Sequence, residues 1–286
     1  MKIALLADIH SNYVALEACL RIIDDNNFEG VVFLGDYISD CPYPQKTIAL
    51  VKQTMTKYPT WLIRGNREDY LINHHKNKND GWHYSSNSGS LLYTYENITV
   101  EDIEFFASMP ISMDVSIKGC VPFSICHGSP RNTREALLPN TVNSDLYLNS
   151  LNTRDLFCAH IHKPFKYELN EKRLINCASV GAPTNGQVKA QFVSIEFKDG
   201  VWCDNLVSVS YDDDKIIKAF EDSGIYSKSF IWAKAMVKLL TTGEDFPFRC
   251  LERAASFAQS NDIDVNGYFD MPEKYWQQAA RELRII

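Results

Sequence analysis

Asp8, His10, Asp36, Asn66, His127, His160 and His162 are the side chains whose types and spacing could do chemistry together. They supply two carboxylates, four imidazoles and one amide, the donors that bind borderline divalent metals. One tetrahedral zinc takes only four ligands, so seven suggest two ions sharing a bridge. A carboxylate such as Asp36 can bridge, because its two oxygens carry several lone pairs. Two ions roughly 3.5–4 Å apart can hold a hydroxide and clamp a phosphoryl group for in-line attack. The chemistry expected of such a cluster is hydrolysis of a phosphate ester or anhydride.

Taken singly, each piece is ordinary. Asp8 could cap a helix, Gly35-Asp36 and Gly65-Asn66 could be turns, and a lone His is usually a satisfied core residue. Their placement changes the reading. Residues 2–7, 31–34 and 60–63 read as strands, separated by helical patterns at 14–25 and 44–57. That βαβαβ order implies a parallel sheet covered by helices. Ligands of open α/β sheets bind beyond the carboxyl ends of the strands. Asp8-Ile9-His10, Gly35-Asp36 and Arg64-Gly65-Asn66-Arg67-Glu68 stand at those ends, and the later strands FSIC and LFCA run into His127-Gly128 and His160-Ile161-His162.

The second half turns to strands at 112–117, 121–126, 155–158, 165–169, 173–177, 190–197 and 201–209, with a hairpin across Lys198-Asp199-Gly200. Thr99 and Asp102 form a capping-box start for a helix that ends before Pro110. Residues 211–286 read as helices near 212–222, 227–241, 248–260 and 272–283. The expected division is a catalytic domain over 1–209 and a helical C-terminal domain or cap over 210–286.

Composition narrows the function. The chain has 286 residues, 45% of them apolar and 23% charged, so a large core is available. Its net charge is −7, from 29 basic and 36 acidic residues, which argues against general nucleic-acid binding. The apolar run at the N-terminus is too short for a signal peptide or membrane span. Eight cysteines without C-x-x-C spacing argue against a structural zinc site. A cytoplasmic protein with free thiols is expected, with room left for a homo-oligomer.

The ordered set Asp8-Ile9-His10, Gly35-Asp36, Gly65-Asn66, His127-Gly128 and His160-Ile161-His162 resembles the calcineurin-like metallophosphoesterase superfamily. The resemblance spans residues 1 to about 209. With its Ser11–Ala18 helix start, the chain is most similar to the compact bacterial and archaeal phosphodiesterase branch. The resemblance implies a four-layer α/β/β/α sandwich. It implies one ion held by Asp8, His10, Asp36 and His162, a second by Asp36, Asn66, His127 and His160, and a hydroxide nucleophile. Donors without thiolate favour Mn or Fe, and Zn also fits.

The sequence departs from that pattern in three places. Ser39 takes the last place of the usual G-D-x-x-D, with Asp40 one residue later, so the second carboxylate is out of register. Ala159 stands where G-H-x-H has Gly. Arg67 replaces the His of G-N-H-[DE], a residue usually assigned to the transition state or leaving group. Arg does not readily donate a proton but binds phosphate oxygens bidentately. Arg67 is therefore expected to clamp phosphate, and to count with the bridging Asp36 as catalytic, on substrates with good leaving groups such as dinucleoside polyphosphates or activated phosphodiesters. Arg131, Arg134 and Lys163 are further candidates for phosphate contact. Residues 74–90, with His74, His75, Trp82, His83 and Tyr84, read as a loop, either solvated or a lid that stacks a nucleobase. Phe230, Ala233, Val237 and Leu240 form an apolar stripe expected to pack on the catalytic domain or a partner. The partner expected is a small phosphorylated molecule; a phosphoprotein or small-monoester phosphatase and a non-catalytic scaffold or sensor are the competing readings.

Overall fold

A computed structural model describes residues 1–263 and 270–286. The strand KIALL is apolar on both faces, and both faces are buried. Ile3 and Leu5 of strand β1 (Lys2–Leu6) point into a core with Phe123, Ile125, Phe157 and Trp202. Ala4 and Leu6 point the other way, toward helix α1 (Tyr13–Asp25). A strand covered on both sides has no polar face to alternate.

β1 pairs in parallel with β2 (Gly30–Phe33), which pairs in parallel with β3 (Thr60–Leu62). Helix α2 (Pro44–Lys57) lies between them in the chain, with Pro44 in its first turn. The hairpin β9 (Ala190–Lys198) and β10 (Val201–Val209) adds antiparallel to β1. The first sheet is therefore ordered β10-β9-β1-β2-β3.

A second sheet stacks against it. It contains β4 (Ser112–Val115), β5 (Phe123–Cys126), β6 (Asp155–Cys158), β7 (Phe165–Leu169) and β8 (Lys172–Asn176), in the order β4-β5-β6-β8-β7. Cys126, Leu156, Cys158 and Leu174 of its outer face pack with Leu148 of α6 (Val142–Ser150). Helix, sheet, sheet and helix make the four-layer sandwich.

Three helices depart from the sequence reading. Residues 66–76 form α3 (Asn66–Lys76), so His74 and His75 end a helix rather than open a loop. Gly89–Glu96 forms α4 and Val142–Ser150 forms α6. All three are short or polar, and packing rather than periodicity holds them. Helix α5 (Val100–Ser108) starts on the expected Thr99–Asp102 capping box.

The C-terminal chain forms α7 (Asp213–Asp222), α8 (Ile225–Thr242), α9 (Phe246–Gln259) and α10 (Glu273–Glu282). Ile216, Phe220, Met236 and Leu239 share one core with Tyr13, Val14, Cys41, Tyr93 and Ala182. Ala233 and Leu240 of the expected stripe belong to that core, with Val237 packed partly buried against it. Phe230 leaves the stripe, because α8 breaks there, at φ 41° and ψ −112°. No helix among the described residues is long and apolar enough to cross a membrane.

Candidate metal and phosphate site

The loops after β1 and β2 are knitted together by backbone hydrogen bonds. The N–H groups of Ile9 and His10 donate to the Asp36 carbonyl at 2.8 and 3.0 Å, and that of Ser11 to the Tyr37 carbonyl at 3.0 Å. The loop after β3 approaches so closely that only glycine fits: a Cβ on Gly65 would lie 2.2 Å from Asp36 Oδ1. Gly35, at φ +88°, meets Gly65 in the same way. Glycine is needed in both motifs because two loops touch there. Glu68, fully buried, completes the junction. Its carboxylate accepts from the N–H groups of Asp36, Tyr37 and Gly65 at 2.8–2.9 Å.

Asp8, His10, Asp36, His160 and His162 all have positive φ, between 49° and 72°. Left-handed backbone costs a non-glycine residue roughly 1–2 kcal/mol. Five in one cluster persist only where the surroundings over-determine them.

The side chains converge into two groups. Asp8, His10 and His162 offer ligand atoms within 4.8 Å of one another, as do Asp36, His127 and His160. Asn66 joins the second group, with Oδ1 3.1 Å from His127 Nε2. Asp36 faces both: Oδ1 lies 3.5 Å from His127 Nε2 and Oδ2 3.7 Å from His10 Nε2. All seven residues read from the sequence thus meet in one place.

The imidazoles are held in a definite tautomer. His127 Nδ1 lies 2.7 Å from the Leu34 carbonyl and His162 Nδ1 2.7 Å from the Ala182 carbonyl. A carbonyl only accepts, so each Nδ1 carries a proton and each Nε2, turned inward, is the nitrogen left to bind a cation. His10 Nδ1 lies 2.9 Å from Asp40 Oδ2. As a result His10 Nε2 and His162 Nε2 sit 3.0 Å apart, an arrangement that needs a proton or cation in common. Asp8 Oδ1, fully buried and without a hydrogen-bond partner, lies 3.6–4.0 Å from the Nε2 atoms of His162, His127 and His10. An orphaned carboxylate oxygen among inward Nε2 atoms fits bound cations, which satisfy both.

The charges are in conflict in the same way. Burial pushes Asp8 up to about 7, with His127 opposing. Burial also works against Asp36, but His127, His10 and Arg67 hold it well below the usual carboxylate range. Burial lowers His127, yet Asp36 and Asp8 lift it to about 9. Burial and the neighbouring His127 push His160 down to about 4.

Asp40, out of register in the sequence, still stands beside the cluster, with Oδ2 2.9 Å from His10 Nδ1. Ser39 and Asp40 are both left-handed, at φ 82° and 66°. Those two residues curl the chain so that Asp40 reaches His10 despite the extra position. Asp40 also pairs with Arg67 Nη2 at 3.0 Å and accepts from Trp232 Nε1 at 2.8 Å and Ser90 Oγ at 3.3 Å. Arg67 is largely buried, and its Nε has no hydrogen-bond partner. It lies 4.0 Å from Asp36 Oδ2.

A cavity of about 840 Å³ opens beside Asn66, Arg67 and His160. Arg134 lines it. Arg131 does not, since its guanidinium lies over the Tyr147 ring at 6.0 Å; Lys163 is exposed and lines neither cavity at the cluster. The aromatic residues of 74–84 do not form a stacking lid over it. His74 stacks on Trp82 at 4.2 Å and holds Asp80, and Tyr84 donates to Glu96. The segment reaches the cavity through Asn87 instead. Trp232 and the Leu34 and Ala182 carbonyls escaped the sequence reading as parts of the site, and that reading gives Asp40 and Glu68 no role in it. Asp40 and Glu68 left a signal there, Asp40 as a displaced motif residue and Glu68 at the [DE] place of the third motif.

Residues 1–219 match the model of the calcineurin-like phosphoesterase family. The chain is 29% identical over 239 residues to an uncharacterized protein of Methanocaldococcus jannaschii, an alignment that covers 77% of this chain and 90% of that one. A hypothetical protein from Pyrococcus horikoshii superposes with a TM-score of 0.71 at 21% identity, covering 85% of this chain and 98% of its own. A metallophosphoesterase from Sphaerobacter thermophilus does so with a TM-score of 0.67 at 22% identity, covering 85% and 100%. At those identities the two structures speak for the fold. The family model covers most of the chain, including all seven convergent residues, and the chain belongs to the calcineurin-like phosphoesterase family.

Proposed function

We propose that this protein is a dinuclear metal-dependent phosphohydrolase acting on phosphodiesters or nucleotide phosphoanhydrides. The observation that carries the reading is the convergence of inward Nε2 atoms on the orphaned Asp8 Oδ1. Asp8, His10 and His162 would hold one ion, and Asn66, His127 and His160 the other. Asp36, with an oxygen toward each group, would serve both. Bound ions supply positive charge for phosphoryl oxygens and a water acidic enough to act near neutral pH. The thiolate-free donor set favours Mn or Fe, with Zn as the alternative.

The chain's own residues divide the remaining work. Leu34, Ala182 and Asp40 orient the imidazoles. Arg67 offers its unpartnered Nε–H to a phosphate oxygen, and Asp40 holds the guanidinium in place. Arg67 gives the leaving group no proton, because a guanidinium stays protonated. Substrates with weakly basic leaving groups follow from that. In this reading residues 1–209 are the catalytic domain and 210–286 its cap. The cap residues lining the cavity support a small phosphorylated substrate over a protein surface. Eight free thiols, seven of them wholly or partly buried, are consistent with a cytoplasmic enzyme.

The test is hydrolysis of bis(p-nitrophenyl) phosphate, p-nitrophenyl phosphate and a dinucleoside polyphosphate by chelator-stripped protein, with and without Mn²⁺. Turnover that requires Mn²⁺ and is lost in His127→Ala is expected, with the diester or anhydride ahead of the monoester. Two bound ions without turnover of any substrate would instead leave a scaffold or sensor.

A further inference from the structure

The cavity of about 840 Å³ has two unlike walls. One carries Arg67 beside the metal-type donors, with Arg134 also on the lining. Arg134 is exposed and has no ion-pair partner among the described residues. In a chain of net charge −7, two arginines on one cavity mark it for an anion.

The other wall is aromatic and comes from the C-terminal helices. Phe248, in the first turn of α9, is 47% exposed, an aromatic side chain that the fold leaves uncovered. Trp232 stands two residues beyond the break in α8. Its ring is held by the indole N–H to Asp40 at 2.8 Å and by an edge contact with Trp276 at 6.1 Å and 83°. A ring held in advance loses little freedom on binding a flat partner. The volume lies within the range of small-ligand pockets, about 300–1,000 Å³.

The geometry points to a nucleotide as the occupant, with its phosphates between Arg67 and Arg134 and its base on the wall of Trp232 and Phe248. This assignment rests on the phosphohydrolase reading and narrows its substrate class. A sugar phosphate satisfies the arginines but leaves the aromatic wall wet. A nucleotide covers both walls.

Isothermal titration of the metal-loaded full-length protein with adenosine 5′-monophosphate and with ribose 5-phosphate tests it. The expected result is at least tenfold tighter binding of adenosine 5′-monophosphate. Phe248→Ala, at an exposed position, should reduce that affinity about tenfold, the effect of removing one stacking partner. Arg134→Gln should weaken adenosine 5′-diphosphate more than adenosine 5′-monophosphate, by threefold or more. Equal affinities for the monophosphate and ribose 5-phosphate, or no response to Phe248→Ala, would overturn the base site. Mn²⁺-dependent hydrolysis of bis(p-nitrophenyl) phosphate in the same preparation separates the two failures. If it persists, only the nucleotide assignment falls; if it is absent, the phosphohydrolase reading falls with it.

Discussion

The two halves of the cluster are anchored in different parts of the molecule. His127 is fully buried, and its Nδ1 is held by the carbonyl of Leu34, just beyond the end of β2. Its neighbours Asp36 and Asn66 are fixed by the tight contact of Gly35 with Gly65 and by buried Glu68. That half is held by the loops after β2 and β3 and by the first turn of α3. His10 is instead supported by Asp40, and Asp40 receives Trp232 from α8, Ser90 from α4 and Arg67 from α3. That half is completed by helices outside the sheets. The first is set once the sheets pack, because a buried carbonyl has nowhere else to turn. In the second, one carboxylate, that of Asp40, links the C-terminal helices to His10 and Arg67.

Substitutions can break or sharpen this contrast. His127→Ala removes a donor from the first half, and activity should fall by more than about 100-fold, beyond the usual loss for an outer partner. Metal analysis should find one ion retained, in the half of Asp8, His10 and His162. Asp40→Asn strikes the link in the second. It should weaken metal binding by about 10- to 100-fold, with the loss confined to the half containing His10. Equal loss from both halves in a titration with limiting metal would mean that they are not separately supported.

Trp232→Phe keeps a ring and removes the hydrogen bond to Asp40. Its effect on activity should be in the same direction but smaller, on the order of three- to tenfold, because one charged-acceptor hydrogen bond acts through a second residue. An effect as large as that of Asp40→Asn would make Trp232 the main support. The break in α8 is itself stabilised from the 77–88 segment, where Ser86 Oγ accepts from the Ile231 N–H at 2.9 Å and donates to Glu273 at 2.7 Å. Ser86→Ala leaves a buried N–H without a partner and should cost about 2 kcal/mol of stability. The denaturation midpoint should move, while metal stoichiometry stays at two.

Much of this architecture is legible in the sequence. A strand buried on both faces is mostly apolar, as KIALL after Lys2 and FSIC apart from Ser124 are, and amphipathic helices such as α7 and α10 announce themselves by period. The seven donors are also legible, because their order along the chain follows the order of the strand ends. The unread parts have a common cause. Helices α3, α4 and α6 are polar or short, and their stability comes from neighbours distant in sequence. The Leu34 and Ala182 carbonyls belong to the backbone, which every residue carries, so no side-chain pattern marks them. Asp40 is one position out of register, and only the left-handed turn at Ser39 and Asp40 returns it to His10. Trp232 lies outside the apolar stripe read from the sequence, and its indole N–H reaches Asp40 from just beyond the break at Phe230. The sequence alone therefore determined which atoms can bind metal and which strand ends present them. Tertiary structure decided which way those atoms point, because orientation depends on backbone partners and packed helices that meet only when the chain has folded.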